Sequence, residues 1–396
     1  MSLVIVGAGQ AAAQLVQSLR QGGYKDAIRM IGEEPYAPYQ RPPLSKKFLT
    51  ERPPAETLYF RPEKFWTDQG VTVDYGTVVE AIDRANRRVG YKGGSADYGM
   101  LLLATGTRAR DLPVPGAGLD GVFSLRKIDD VRRLRGPLDA AKRVVIVGGG
   151  YIGLEVAAVA RGEGREVAVL EAEDRVMKRV TSPVISHFMQ DFHRNRGVDI
   201  RVGARLAAIE GDGKVAQVKL ADGTTLLADL VLLAVGARPN DDLAAAAGLP
   251  CQDGVVVDEH GRTADPAVYA AGDCTRFPSR RYGRALRLEC VQNAIDQAKA
   301  VASEMLGKPQ HYDPVPWFWS DQYELKLQMA GLSDGYDDAQ TVGDVAAARF
   351  SVEYRKGGRL IAVDAVNDGR AYMSGRKRIA EETAILSAAQ LPESPP

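Results

Sequence analysis

LVIVGAGQAAAQLVQSLR, residues 3–20, runs from a short β-branched apolar segment through two glycines into an Ala- and Leu-rich stretch. That order reads as strand, tight turn and helix. The design returns in RVVIVGGGYIGLEVAAVARGEG, residues 143–164, so an internal repeat organises the chain of 396 residues. The glycines are spaced Gly7-x-Gly9-x-x-Ala12 in the first copy and Gly148-x-Gly150-x-x-Gly153 in the second. The first glycine permits the turn, the second lets backbone approach a pyrophosphate, and the third small residue lets helix pack on strand. An anion at such a helix start meets unpaired N–H groups and the positive end of the dipole.

Each copy is followed by a second strand-like run ending in an acid, IRMIGE at Glu33 and EVAVLE at Glu171. A carboxylate there accepts hydrogen bonds from ribose hydroxyls and repels a 2′-phosphate, so Glu171 favours NAD over NADP. Arg175 is close enough to blur that preference, but its simpler reading is a solvated or salt-bridged side chain. Two dinucleotide sites in one chain point to the pairing of FAD with NAD(P)H. The glycines alone do not say which site holds which. In TADPAVYAAGDC, residues 263–274, a strand delivers Asp273 at its end. That carboxylate suits flavin ribityl hydroxyls and assigns FAD to the first site.

Further apolar runs ending in glycine, LLLATG (101–106) and LVLLAVG (230–236), alternate with helical stretches and argue for parallel α/β sheets. After Pro314 the character changes. RFSVEYRKGGRLIAVDAVN, residues 349–367, reads as two antiparallel strands about a KGG turn, RKRIAEETAILSAAQ as a helix, and LPESPP as a mobile tail. The expected fold is α/β, with two Rossmann-like dinucleotide-binding domains of the glutathione-reductase-like kind plus a C-terminal α+β domain. Their expected bounds are 1–110 with 238–316, 111–237, and 317–396.

Lys plus Arg and Asp plus Glu balance at 51 each, which gives no global field for nucleic acid or an anionic membrane. No apolar run is long and uninterrupted enough for a membrane span, and LVIV begins at Leu3 with no basic segment before it. A cytoplasmic protein without a signal peptide is expected. Cys251, Cys274 and Cys290 form no C-x-x-C, which argues against a disulfide framework, a zinc ribbon or a dithiol redox centre.

Taken together, VIVGAGQAA, YQRPPLSK (39–46), LLLATGTR, VVIVGGGYIGLEVAA, LLAVGARPN, YAAGDC and PWFWSDQYE resemble the NADH-dependent ferredoxin reductases that serve cytochrome P450 and aromatic-ring oxygenases. These form the putidaredoxin reductase-like branch of the FAD-dependent pyridine nucleotide oxidoreductases, and the resemblance runs from Leu3 to about Asn367. It implies flavin contacts at Gly7, Gly9, Ala11, Ala12, Glu33, Lys46, Val79, Arg126, Asp273 and Val291. It implies nicotinamide nucleotide contacts at Gly148, Gly150, Ile152, Gly153, Glu155, Glu171 and Gly236. The C-terminal domain would cover the flavin.

On that resemblance the catalytic candidates are Lys46, Glu155 and Trp319. Lys46 follows two prolines that stiffen its loop, and Glu155 is placed to pair with it. Trp319 would stand beside the flavin, on the side away from NADH, with Trp317 as an interface residue. A flavin takes hydride and can release its electrons singly, and with no cysteine pair to receive them a [2Fe–2S] ferredoxin is the expected acceptor. RFPSRRYGRALR (276–287) has five arginines, Arg276, Arg280, Arg281, Arg284 and Arg287, and no acid, which suggests a dock for an acidic ferredoxin. The chain is expected to be a monomer or weak dimer. The rival readings are an NADH oxidase, a rubredoxin reductase, and a redox-responsive binding flavoprotein like apoptosis-inducing factor.

Overall fold

The computed structural model describes residues 2–389, and its chain divides into two compact units. Unit 1 holds Met1–Arg41, Pro54–Arg108 and Ala237–Pro316; unit 2 holds Pro42–Pro53, Ala109–Gly236 and Trp317–Pro396.

In unit 1 the strand Leu3–Val6 is fully buried, as expected of a central parallel strand that carries apolar residues on both faces. It pairs in parallel with Ile28–Ile31 on one side and Met100–Leu103 on the other. Val71–Asp74 and Val268–Ala270 complete a five-stranded parallel sheet at its two edges. The helix Gln10–Gln21 turns Leu15, Val16 and Leu19 to the sheet and packs beside the helix Val291–Met305. Leu3, Ile5, Met30, Leu102, Trp66 and Val301 lie in one core, from which side chains of this size are costly to truncate, at about 2–5 kcal/mol each.

Unit 2 repeats the plan. Arg143–Val147 lies between Glu166–Leu170 and Leu230–Leu233, with Val198–Arg201 and Val122–Phe123 outside them, all parallel. Unit 2 also carries a five-stranded antiparallel sheet in the order Trp317–Gln322, Leu325–Gly331, Arg359–Val366, Arg349–Lys356, Asp338–Asp344. The hairpin read from the sequence is present, with Lys356 opposite Arg359 across the Gly357–Gly358 turn. The helix Gly369–Ala389 follows and packs on this sheet; the LPESPP tail lies outside the described residues.

A buried polar cluster ties the sheet to the loop before the helix Pro183–Arg194. Asp364 accepts hydrogen bonds from Thr181 and, at 2.7 Å, from the Tyr354 hydroxyl, which lies 2.9 Å from Ser182 Oγ. Burial pushes the Asp364 carboxyl up to about 7, against the opposing effect of the Thr181 and Tyr354 hydrogen bonds. Among the described residues, no helix is long and apolar enough to cross a membrane.

Candidate functional site: two dinucleotide cradles and a buried ion pair

The two glycine turns share one geometry. Gly7 has φ +106° and Gly148 φ +109°, a backbone region that side chains with a Cβ rarely enter. A Cβ at Gly7 would stand 2.2 Å from the Ala104 carbonyl oxygen, and one at Gly148 2.3 Å from that of Ala234. The turns are thus pressed against the neighbouring strand, and that closeness sets the helix start above the strand ends.

At the second glycines the situation reverses. Neither Gly9 nor Gly150 has anything within 4 Å of a built Cβ, so the space over each helix start is open. The helices Gln10–Gln21 and Tyr151–Gly162 start from these glycines with no side-chain cap and no acid in the first turn. No capping side chain therefore serves their leading N–H groups. An open, uncapped, electropositive concavity of this form fits a pyrophosphate.

The third positions differ. Ala12 is fully buried, whereas a Cβ at Gly153 would meet the Gly148 carbonyl oxygen at 2.1 Å. Ala11 is buried beside Gly272, whose built Cβ would lie 3.3 Å from it.

In unit 1 Asp273 follows the strand Val268–Ala270, half-buried, with Thr107 Oγ1 3.5 Å from Oδ2. Its strand end is braced by Gln297, whose Oε1 accepts from Gly272 N and Thr275 Oγ1, both at 2.8 Å. Val291 opens the helix Val291–Met305, and Val79 opens the half-exposed strand Val79–Asp83. Glu33 is exposed beyond the end of its strand. The neighbouring Glu34 accepts from the Tyr39 hydroxyl at 2.5 Å and pairs with Arg41 at 2.6 Å. Neither Glu34 nor Arg41 was singled out from the sequence, although both flank the same loop.

In unit 2 Glu171 Oε2 accepts from Gly149 N at 2.8 Å and Oε1 from Glu173 N at 2.9 Å, which fixes the carboxylate beside the glycine turn. Arg175 donates to the Thr181 carbonyl and to Ser186 Oγ, so it holds its own loop together. Ile152 is exposed in the helix's first turn. Gly236 has φ +103°, and Arg179 lies against it, 3.2 Å from a built Cβ. Arg126 N donates to Asp130 Oδ2 at the start of the helix Ile128–Ala140.

Lys46 and Glu155 meet within unit 2, at 2.7 Å from Nζ to Oε2. Lys46 is held by the Pro42–Ser45 turn before it and by Phe48 after it, a fully buried ring under the Arg135 guanidinium. Glu155 is only 4% exposed, and removing either partner of such a pair leaves the other charge uncompensated. Two serines complete the carboxylate's partners: Ser45 Oγ at 2.5 Å from Oε2 and Ser320 Oγ at 2.6 Å from Oε1.

Ser320 lies in Trp317–Gln322, where alternate side chains take opposite faces. Phe318, Ser320 and Gln322 face one way: Phe318 stacks on Tyr151 at 4.4 Å and Gln322 reaches His193 at 2.8 Å. Trp317 and Trp319 share the other face, half-buried, with centroids 5.7 Å apart. The residue packed against the dinucleotide segment is therefore Phe318 rather than Trp317, whose ring lies under Arg376. Strand alternation in WFWSDQ is the signal by which Ser320 could have been found.

The arginine run is less basic than its sequence suggests, because the fold brings acids to it from elsewhere. Arg276 and Arg287 approach Asp253, Arg287 also meets Glu289, Arg280 meets Glu259, and Arg281 N donates to Asp313. Arg280 and Arg284 are the exposed members. The cysteines are free thiols: burial pushes Cys251 up to about 11, Cys290 up to about 12, and Cys274 upward.

Residues 1–298 match the pyridine nucleotide-disulphide oxidoreductase family, and residues 317–394 match the reductase C-terminal family. The chain is 44% identical to rhodocoxin reductase of Rhodococcus erythropolis over 97% of this chain and 91% of that one. It superposes with a TM-score of 0.93 on the crystal structure of the ferredoxin reductase for the CYP199A2 system of Rhodopseudomonas palustris (44% identity, 95% of this chain, 93% of that one). The same TM-score is found with a covalent putidaredoxin reductase–putidaredoxin complex (42% identity, 96% and 93%). With the paired cradles, the uncapped helix starts and these matches together, the chain belongs to the pyridine nucleotide-disulphide oxidoreductase family, in the form that carries a reductase C-terminal domain.

Proposed function

We propose that the protein is an NADH:ferredoxin reductase, which carries electrons from NADH through FAD to a [2Fe–2S] ferredoxin that serves a cytochrome P450 or ring-hydroxylating oxygenase. The observation that carries this reading is the coexistence of two open dinucleotide cradles with three cysteines that are all free, protonated thiols. Electrons received from a nicotinamide then have no dithiol to enter, and a one-electron protein acceptor is the natural outlet. Relatives named for rhodocoxin and putidaredoxin support the same acceptor class.

FAD, when bound, supplies a two-electron acceptor that can give its electrons up one at a time. Its assigned contacts are Gly7, Gly9, Ala11, Ala12, Glu33, Val79, Asp273 and Val291, with Lys46 and Arg126. NADH is assigned to Gly148, Gly150, Ile152, Gly153, Glu155, Glu171 and Gly236. The fixed Glu171 carboxylate accepts ribose hydroxyls and disfavours a 2′-phosphate, and Arg175, engaged with its own loop, does not offset it. With FAD bound, Lys46 would supply positive charge beside the flavin, and Glu155, 2.7 Å from its Nζ, would orient that ammonium. Trp319 is assigned the electron route outward, and Arg280 and Arg284 the outer part of the docking surface. The domain assignment stays 1–110 with 238–316 for FAD, 111–237 for NAD and 317–396 for the C-terminal domain. The free thiols suit the cytoplasm, a reducing compartment.

Stopped-flow mixing of the NADH-reduced holoenzyme with acidic [2Fe–2S] ferredoxins tests this. Reduction of at least one ferredoxin faster than oxygen consumption is expected. Fast oxygen consumption with no ferredoxin reduced would return the enzyme to an NADH oxidase.

A further inference from the structure

The serines around Glu155 do more than satisfy a buried acid. Ser45 is 5% exposed and Ser320 1%, so neither hydroxyl has bulk water to turn to. They grip opposite oxygens of the carboxylate from two different segments, the Pro42–Ser45 turn and the strand Trp317–Gln322. A carboxylate's terminal torsion is broad and roughly two-fold. Held at one oxygen it can swing, whereas held at both it is locked. Lysine is a point charge on a flexible four-carbon stem; beside a 3.3 Å bond from Nζ to the Pro42 carbonyl, the shorter 2.7 Å contact with Glu155 Oε2 is what places the ammonium.

The grip extends inward. Burial holds His193 below its ordinary value, as neutral imidazole. With its proton on Nε2, that nitrogen donates to Gln322 Oε1 at 2.8 Å. Gln322 Nε2 then donates to Ser320 Oγ at 3.1 Å, and Ser320 donates to Glu155 Oε1. Every bond in this run points the same way, towards the carboxylate, and bonds aligned like this polarise one another.

We propose that Ser45 and Ser320 are positioning residues for hydride transfer: by locking the Glu155 carboxylate they set the place of the Lys46 ammonium while NADH reduces the flavin. This rests on the reading of the protein as an NADH-dependent flavoprotein reductase. The prediction is specific to one half-reaction, because Ser320 and Ser45 act on the ion pair and not on the route by which electrons leave.

The test is anaerobic stopped-flow bleaching of the flavin by NADH, using FAD-loaded wild type, Ser45→Ala, Ser320→Ala, Glu155→Gln and the Ser320→Ala/Glu155→Gln double variant. Each serine variant should lower the limiting reduction rate about tenfold. Half-saturation by NADH should stay within about twofold, as expected when transition-state rather than ground-state interactions are lost. With the carboxylate already gone in Glu155→Gln, adding Ser320→Ala should change the rate by less than about twofold, the signature of coupled residues. If Ser320→Ala lowers the rate equally in both backgrounds, or only lowers Tm, the serines are packing and the proposal falls. Ser45→Ala attacks the same carboxylate from the other segment, so a poorly folding Ser320 variant does not end the test. A wild type that NADH reduces but that gives no electrons to any ferredoxin overturns the proposed acceptor alone. A wild type that NADH does not reduce overturns both.

Discussion

Asp364 shows how a single residue can put pH dependence into a contact between segments. Its carboxyl is enclosed with Tyr354, Thr181 and Ser182 around it, and burial raises it from the ordinary aspartate range to about 7. A carboxyl that holds its proton more tightly in the folded chain stabilises the fold fully below its unfolded value. That contribution is lost as pH rises through its folded value. Wild-type Tm should therefore fall, from this residue, as pH climbs from about 4 towards about 7. Asp364→Asn keeps an acceptor for Thr181 and Tyr354 but cannot ionise. It should be no more stable than wild type at about pH 5 and gain on it by about pH 8, read from thermal melts across that range. An equal offset between the two proteins at both pH values would mean that Asp364 does not titrate there. None of this was legible in the sequence, where AVDAV reads as an apolar strand interrupted by one acid. The partners that make it matter lie 183 and 10 positions away.

At the scale of elements, the strand–turn–helix repeats were legible because glycine spacing reports backbone geometry directly. The first and second glycines were given different tasks from spacing alone, and the structure separates them by what a Cβ would meet. That separation makes the two kinds of glycine testable. Gly150 has φ −83° and ψ −174°, allowed for alanine, and an added Cβ touches no other part of the chain. Gly150→Ala should fold and carry FAD like wild type, yet raise KM for NADH about tenfold or more, since the methyl occupies the pyrophosphate's approach. Gly9→Ala should likewise fold, with φ −99° and nothing near its Cβ, but purify depleted of FAD. Gly153→Ala drives a methyl into the Gly148 carbonyl and should lower stability by about 1–3 kcal/mol. Flavin content from absorbance, KM for NADH and denaturant melts distinguish the three. If Gly150→Ala lost FAD and Gly9→Ala lost only NADH affinity, the assignment of the cradles would be reversed. What spacing could not report was the charge around residues 276–287, because the acids that meet those arginines come from Asp253, Glu259, Glu289 and Asp313.

Across the whole molecule, the chain receives electrons in pairs and must release them singly, and on the proposed assignment the strand Trp317–Gln322 has one face for each task. The six residues alternate: Phe318, Ser320 and Gln322 serve the Tyr151, Glu155 and His193 side, while Trp317 and Trp319 occupy the opposite face. The concentration of tryptophan and the alternation of faces were both legible in the sequence, but not the carboxylate that Ser320 meets, which lies 165 positions away. Neighbouring substitutions should then have opposite effects. Trp319→Ala removes a half-buried ring from the face that does not touch the ion pair, so flavin reduction by NADH should stay within about twofold of wild type. Transfer to ferredoxin should fall about tenfold or more, because a π-system assigned to the outward route is gone. Ser320→Ala, one residue along, should do the reverse, slowing reduction by NADH and leaving ferredoxin transfer from the pre-reduced enzyme intact. The two half-reactions are followed separately, by flavin bleaching with NADH and by ferredoxin absorbance after dithionite reduction of the enzyme. Should both variants slow the same half-reaction, or Trp319→Ala slow both equally, the strand would be a packing element and the outward route would have to leave the protein elsewhere.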